Sequence, residues 1–80
     1  MKRMDWRKHI KSEPGVCQGE PCIAGTRVLV SVLLDNLADG ESIGAIATEY
    51  GVTEADVRAA LRYAAELSKG QVVTLAPERA

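Results

Sequence analysis

The side chains of this 80-residue chain that could do chemistry fall in three places. The first holds Cys17 and Cys22, which bracket Gln18–Pro21, with His9, the single histidine, upstream. A structural zinc site is normally closed by four protein ligands, and this set is short of a fourth. A disulfide across the corner is geometrically conceivable, but a cytoplasmic chain keeps its thiols reduced. The expectation is therefore two reduced, metal-free cysteines, packed as small apolar side chains on neighbouring strands. No Ser or Cys has a credible histidine partner, no Gly-rich phosphate loop opens a helix, and no acidic cluster occupies one helix face. A lone His9 beside basic residues is poor support for a general base. The chain reads as a non-enzymatic protein without a cofactor.

The second place is Arg58 and Arg62, one helical turn apart, preceded by Thr53. The arginines could reach a DNA backbone or base edges, with Thr53 at a helix N-terminus on a phosphate. The same residues also read as a self-satisfied surface, because Glu54–Arg58 and Arg62–Glu66 are i,i+4 pairs. Both readings stand at this point. The third place is the start of the chain, where Lys2, Arg3, Arg7, Lys8 and Lys11 face Asp5 alone. Such cations could meet phosphate and add affinity without sequence information. Between residues 12 and 57 the balance reverses, with only Arg27 against eight acids from Glu13 to Asp56. That acidic middle could meet a basic protein or simply be solvated.

The elements that must position these residues follow from periodicity. Ile43, Ile46, Ala47 and Tyr50 form one apolar helical face behind Ser42 as N-cap, and Gly51 follows where a helix end favours positive φ. Thr53 caps a second helix carrying Val57, Ala60, Leu61, Ala64 and Leu67, with Asp56 completing an imperfect capping box. Two helices joined through Gly51, Val52 and Thr53 predict a helix-turn-helix, with the small Ala47 at the crossing. An αα-corner with no nucleic-acid role is the alternative. Upstream, Val30, Leu33, Leu34, Leu37 and Ala38 predict a support helix ended by Asp39-Gly40, with Asp35, Asn36 and Asp39 outward.

Residues 1–29 read as a basic lead-in followed by short strands. Ile10 lies in a weak strand signal, Pro14-Gly15 is a turn, Val16-Cys17 and Cys22-Ile23 are brief extended pieces, and Thr26–Val30 is β-rich. Trp6 is the one large apolar group that could anchor the poorly ordered start. Gly19 and Gly25 suit positive φ, Pro21 fixes a corner, and Arg27 could pair with Glu20 or Asp35. Residues 69–80 form a short tail in which Gln71–Leu75 either adds an edge strand or frays.

The chain is a single domain of mainly α (α+β) class: a short N-terminal β segment, then a three-helix core over residues 30–68. With no Phe, one Trp and two Tyr, its core has little bulk. The apolar residues of the last helix span about two-thirds of its circumference, which requires cover on two sides. A homodimer would supply it. No apolar run approaches membrane-spanning length and the start lacks a signal-peptide core, so the chain is expected to be soluble, unprocessed and cytoplasmic.

The run Val16–Val28, VCQGEPCIAGTRV, followed by Leu29–Gly40, LVSVLLDNLADG, resembles the prokaryotic family called domain of unknown function 433, many of whose members are described as VapB-like antitoxins. The likeness covers roughly Asp5–Leu67. It is carried by Gly19-Glu20-Pro21-Cys22-Ile23, Gly25-Thr26-Arg27-Val28, Asp56–Leu61 and Tyr63-Ala64-Ala65. The resemblance implies a homeodomain-like or winged-helix helix-turn-helix behind a β segment. It also implies a bacterial or archaeal regulator encoded beside a small nuclease-like toxin. The chain departs from the pattern at Ala24, where the family often has a basic residue before Gly-Thr-Arg. It also ends soon after the last helix, so neutralisation of a toxin would use folded surface.

The leading expectation is a non-enzymatic DNA-binding regulator, the antitoxin of a type II toxin–antitoxin pair. The rival is a protein-interaction module in which the helix-turn-helix is only scaffold.

Overall fold

The structure, a computed structural model, describes residues 4–70 and 75. Its regular elements run in the order of a 3-10 turn at Trp6–Lys8, strand β1 at Ile10–Lys11, a 3-10 turn at Cys17–Gly19, strand β2 at Cys22–Ile23, and helices α1 (Val30–Ala38), α2 (Ile43–Tyr50) and α3 (Glu54–Ser68). This is the small α+β architecture expected, with a two-stranded sheet in front of three helices. No described helix is long and apolar enough to cross a membrane.

The helices begin and end where local chemistry says they should. Ser42 accepts the Ala45 amide at 3.1 Å as the N-cap of α2. Gly51 ends α2 at φ 69°, a left-handed position that costs an L-residue about 1–2 kcal/mol. The capping box of α3 is complete, with Thr53 Oγ1 accepting from the Asp56 amide and Asp56 Oδ2 accepting from the Thr53 amide, both at 3.0 Å. Ala47 is buried in the same core cluster as Val57, Ala59 and Ala60 of α3. Gly44 lies near the start of α3: a Cβ there would stand 3.3 Å from the exposed Glu54 carboxylate. Asn36, expected to face outward, is half-buried and donates to Val32 O at 2.8 Å and Tyr50 Oη at 3.0 Å, tying α1 to α2.

The N-terminal segment is less regular than its sequence suggests. β1 and β2 pair antiparallel, Ile10 opposite Ile23 and Lys11 opposite Cys22. Glu13–Val16 closes as a turn with Gly15 at φ 84°, as Pro14-Gly15 predicts. Val16 is extended, but Cys17 is not: Cys17 (φ 51°), Gln18 (φ 56°) and Gly19 (φ 80°) turn left-handed in succession. The extended reading of Cys17 is therefore corrected. Its thiol donates to Arg27 O at 3.3 Å, so it is fixed to the loop before α1 rather than packed on a strand. Cys22 is buried in β2 as expected, and the two cysteines are not joined by a disulfide.

The core draws on the N-terminal segment and all three helices: Trp6, Ile10, Ile23, Val30, Leu33, Ile46, Ala47, Val57, Ala59 and Ala60 form one buried cluster. Trp6 is only 5 % exposed, and its ring lies 5.7 Å from that of Tyr63 on α3. The lead-in is thus an ordered lid on α3 from Trp6 onward. It supplies much of the second-sided cover that the wide apolar arc of α3 requires, leaving Leu61 and Leu67 exposed.

Candidate nucleic-acid interface

The outward face of α3 carries Glu54, Arg58, Leu61, Arg62, Ser68 and Lys69, all exposed. Arg58 Nη2 lies 3.4 Å from Glu54 Oε1, and both side chains are more than half exposed. An exposed pair of that kind is worth about 0.3–0.5 kcal/mol, so it does not withhold Arg58 from another anion. The second expected pair does not form. Glu66 meets Lys69 at 3.4 Å instead, leaving Arg62 with no ion pair among the described residues. Arg62 faces a groove shared with the N-terminal turn, lined by Met4, Asp5, Trp6, Arg7, Arg62 and Glu66. Arg7 rests on the Trp6 ring, its guanidinium carbon 4.5 Å from the ring centroid. Lys8 is exposed in the same turn. Lys2 and Arg3 lie outside the described residues, as do Gln71–Thr74 of the tail.

Thr53, the residue expected on a phosphate, has its oxygen committed to the cap of α3. The first turn of α3 also carries Glu54 and Asp56, whose carboxylates occupy the positive end of the helix dipole. The basic character of α3 therefore begins at Arg58, one turn inside the helix.

The contact that sequence reasoning missed joins the two halves of the molecule. His9 Nδ1 lies 2.8 Å from Asp56 Oδ1, across 47 residues, while the other carboxylate oxygen holds the Thr53 amide. Burial of Asp56 pushes its pKa up, but the hydrogen bonds from Thr53 and His9 together outweigh burial and hold it below the ordinary carboxylate value. No periodicity signals such a pair. The only hint was a lone histidine and a first-turn acid, each with another reading.

The residues of the Gly-Glu-Pro and Gly-Thr-Arg motifs act on the backbone. Gly19 and Gly25 both have positive φ, 80° and 78°. Pro21 O accepts the first amide of α1 from Val30 at 3.0 Å. Thr26 Oγ1 donates to Ile23 O at 2.7 Å and accepts the Val28 amide at 3.0 Å, folding the loop back on β2. Arg27 offers its carbonyl to Cys17, and its exposed guanidinium forms no ion pair with Glu20 or Asp35. The motif is a clasp that fixes where α1 starts.

The model of the DUF433 family, described as a protein of unknown function, matches residues 10–64. This chain belongs to the DUF433 family. The matched stretch runs from β1 into α3, so the family pattern includes the clasp, the helix-turn-helix and Asp56, and begins one residue after His9. Among solved structures, a DUF433 member from Anabaena variabilis superposes with a TM-score of 0.70 at 30% identity, covering 79% of this chain. This chain spans 63% of the length of that protein. A comparison with curated proteins finds no match.

Proposed function

We propose that this DUF433 protein is a non-enzymatic, cytoplasmic DNA-binding regulator of a prokaryotic cell, acting as a homodimer on its own promoter as the antitoxin of a type II pair. The observation that supports it is the outer stripe of α3, where Arg58, Leu61 and Arg62 are exposed on the second helix of a helix-turn-helix, flanked by Arg7 and Lys8. In such motifs the second helix enters the major groove. Arg58 is then the base reader, Leu61 a contact for a thymine methyl group, and the N-terminal cations sequence-blind phosphate contacts. A two-fold dimer places half-sites about 34 Å apart, or a multiple of it.

The test is binding to the upstream promoter against a random duplex of equal length, across a salt series. Arg58→Ala should cost about 1–3 kcal/mol at the promoter and little on the random duplex. No preference of the wild type for its promoter removes the DNA reading.

A specific observation keeps the second reading, that of an interaction module, alongside. Pro21, Val30, Leu34 and Tyr63 line a small apolar slot of about 210 Å³ beside the Gly-Glu-Pro motif. Leu67, 45 % exposed, lies one turn beyond Tyr63 on α3. This surface suits an apolar side chain of a protein partner, which would be bound with the helix-turn-helix as scaffold.

A further inference from the structure

The groove between the N-terminal turn and α3 brings Arg7 and Arg62 together on one lining, and the geometry points to a seat for a single DNA phosphodiester gripped jointly by these two arginines. This inference rests on the DNA-binding reading above and deepens it by separating Arg62 from Arg58. The groove has a volume of about 330 Å³. Trp6 lines it, 5 % exposed and in tilted ring contact with Tyr63, so its position is set by the core. Arg7 is laid over that indole at 4.5 Å, which limits its rotamers before any ligand arrives. Arginine keeps its planar donor fork free while stacked, whereas lysine would not. Arg62 enters from α3 with no ion pair among the described residues.

Two carboxylates also line the groove, Asp5 and Glu66. Glu66 is engaged by Lys69 at 3.4 Å, which leaves Asp5 as the one lining carboxylate without an ion pair among the described residues, against the two arginines. Arg7 and Arg62 both line the groove, and a phosphodiester bound between them would give each guanidinium group a charge-assisted hydrogen bond. The seat would fix how deep α3 lies, because Arg62 is bound to the backbone one turn after Arg58 reaches the bases.

The experiment measures duplex binding by fluorescence anisotropy over a salt series, using the promoter and a random duplex, with emission from Trp6, the only tryptophan, as a local reporter. Arg7→Gln and Arg62→Gln should each weaken both duplexes alike. The double variant should lower the slope of log K against log salt by about one unit in total, since one phosphate is lost. Duplex binding should shift Trp6 emission in the wild type and not in Arg7→Gln. Arg27→Gln, a lone exposed arginine outside the groove, controls for general charge, and thermal unfolding confirms that each variant is folded. A loss of about two units in the double variant means two separate phosphates and overturns the shared seat. Unchanged binding in Arg7→Gln overturns it as well, while leaving DNA binding intact. The same Trp6 response to inorganic phosphate alone at micromolar concentration would make the groove a free-phosphate site. A wild type that binds neither duplex removes both this seat and the DNA reading beneath it.

Discussion

In residues 30–68, the contacts that shape the chain are between near neighbours: a Ser42 cap three residues from its amide, a reciprocal Thr53–Asp56 box, and a left-handed Gly51. In residues 4–29 the contacts that matter reach far along the chain. Trp6 packs on Tyr63, His9 bonds Asp56, and the Pro21 carbonyl holds the start of α1. The sheet in this half has only two residues in each strand and could not stand alone. The helical half is thus specified locally and the N-terminal half borrows its structure from the helices. Yet the borrowed half contributes Trp6 and Ile10 to the core and Arg7 to the basic surface, so the dependence is mutual.

The largest test of that mutual dependence is Trp6→Ala. Loss of a buried tryptophan should cost about 3–5 kcal/mol, a large fraction of the stability of so small a domain. Chemical denaturation should show a much lower midpoint. If the midpoint moved by less than the equivalent of about 1 kcal/mol, the N-terminal turn would be no part of the fold.

Asp56 offers a smaller test, because it serves both halves at once. Asp56→Ala removes the N3 carboxylate of the capping box and the His9 bond together, and should cost about 1–3 kcal/mol near neutral pH. The pH dependence has a definite sign. The folded carboxyl holds its proton less tightly than the unfolded one, so its contribution is complete above the ordinary carboxylate range and is lost as pH falls below about 4. Unfolding curves of wild type and Asp56→Asn should therefore converge between pH 6 and pH 3. Parallel curves would mean that the charge on Asp56 contributes nothing to stability.

The smallest effect belongs to the helical half alone. Gly44→Ala should stabilise α2 by about 0.5–1 kcal/mol at most, provided the exposed Glu54 side chain moves aside by a few tenths of an ångström. A loss of stability would mean that the α2–α3 crossing is tighter than its exposed edge suggests.

How much of this was legible in the chain varies along it. The three helices, their caps and the Pro14-Gly15 turn could be read directly, because each depends on residues within one or two turns of one another. The positive φ at Gly19 and Gly25 was equally readable. The reading of Cys17 as extended failed because its backbone is turned over to reach Arg27 O, ten residues away. Asn36 was placed outward by helical spacing alone, but Tyr50 from α2 arrives beside it and makes it an inter-helix bond. The candidate interface divided likewise: Arg58 with Glu54 followed from spacing, while Arg62 with Arg7 did not.

By itself the sequence determined the class of fold, the helix boundaries and the left-handed Gly19 and Gly25, since periodicity, capping and glycine's conformational freedom act over a few residues. Only the tertiary structure decided that Trp6 covers α3, that His9 reaches Asp56, and that Arg7 and Arg62 share one groove. Those pairings join residues 47 or more positions apart, as His9 and Asp56 show. No local preference encodes such contacts, and they arise where burying a common apolar core brings distant surfaces to the same place.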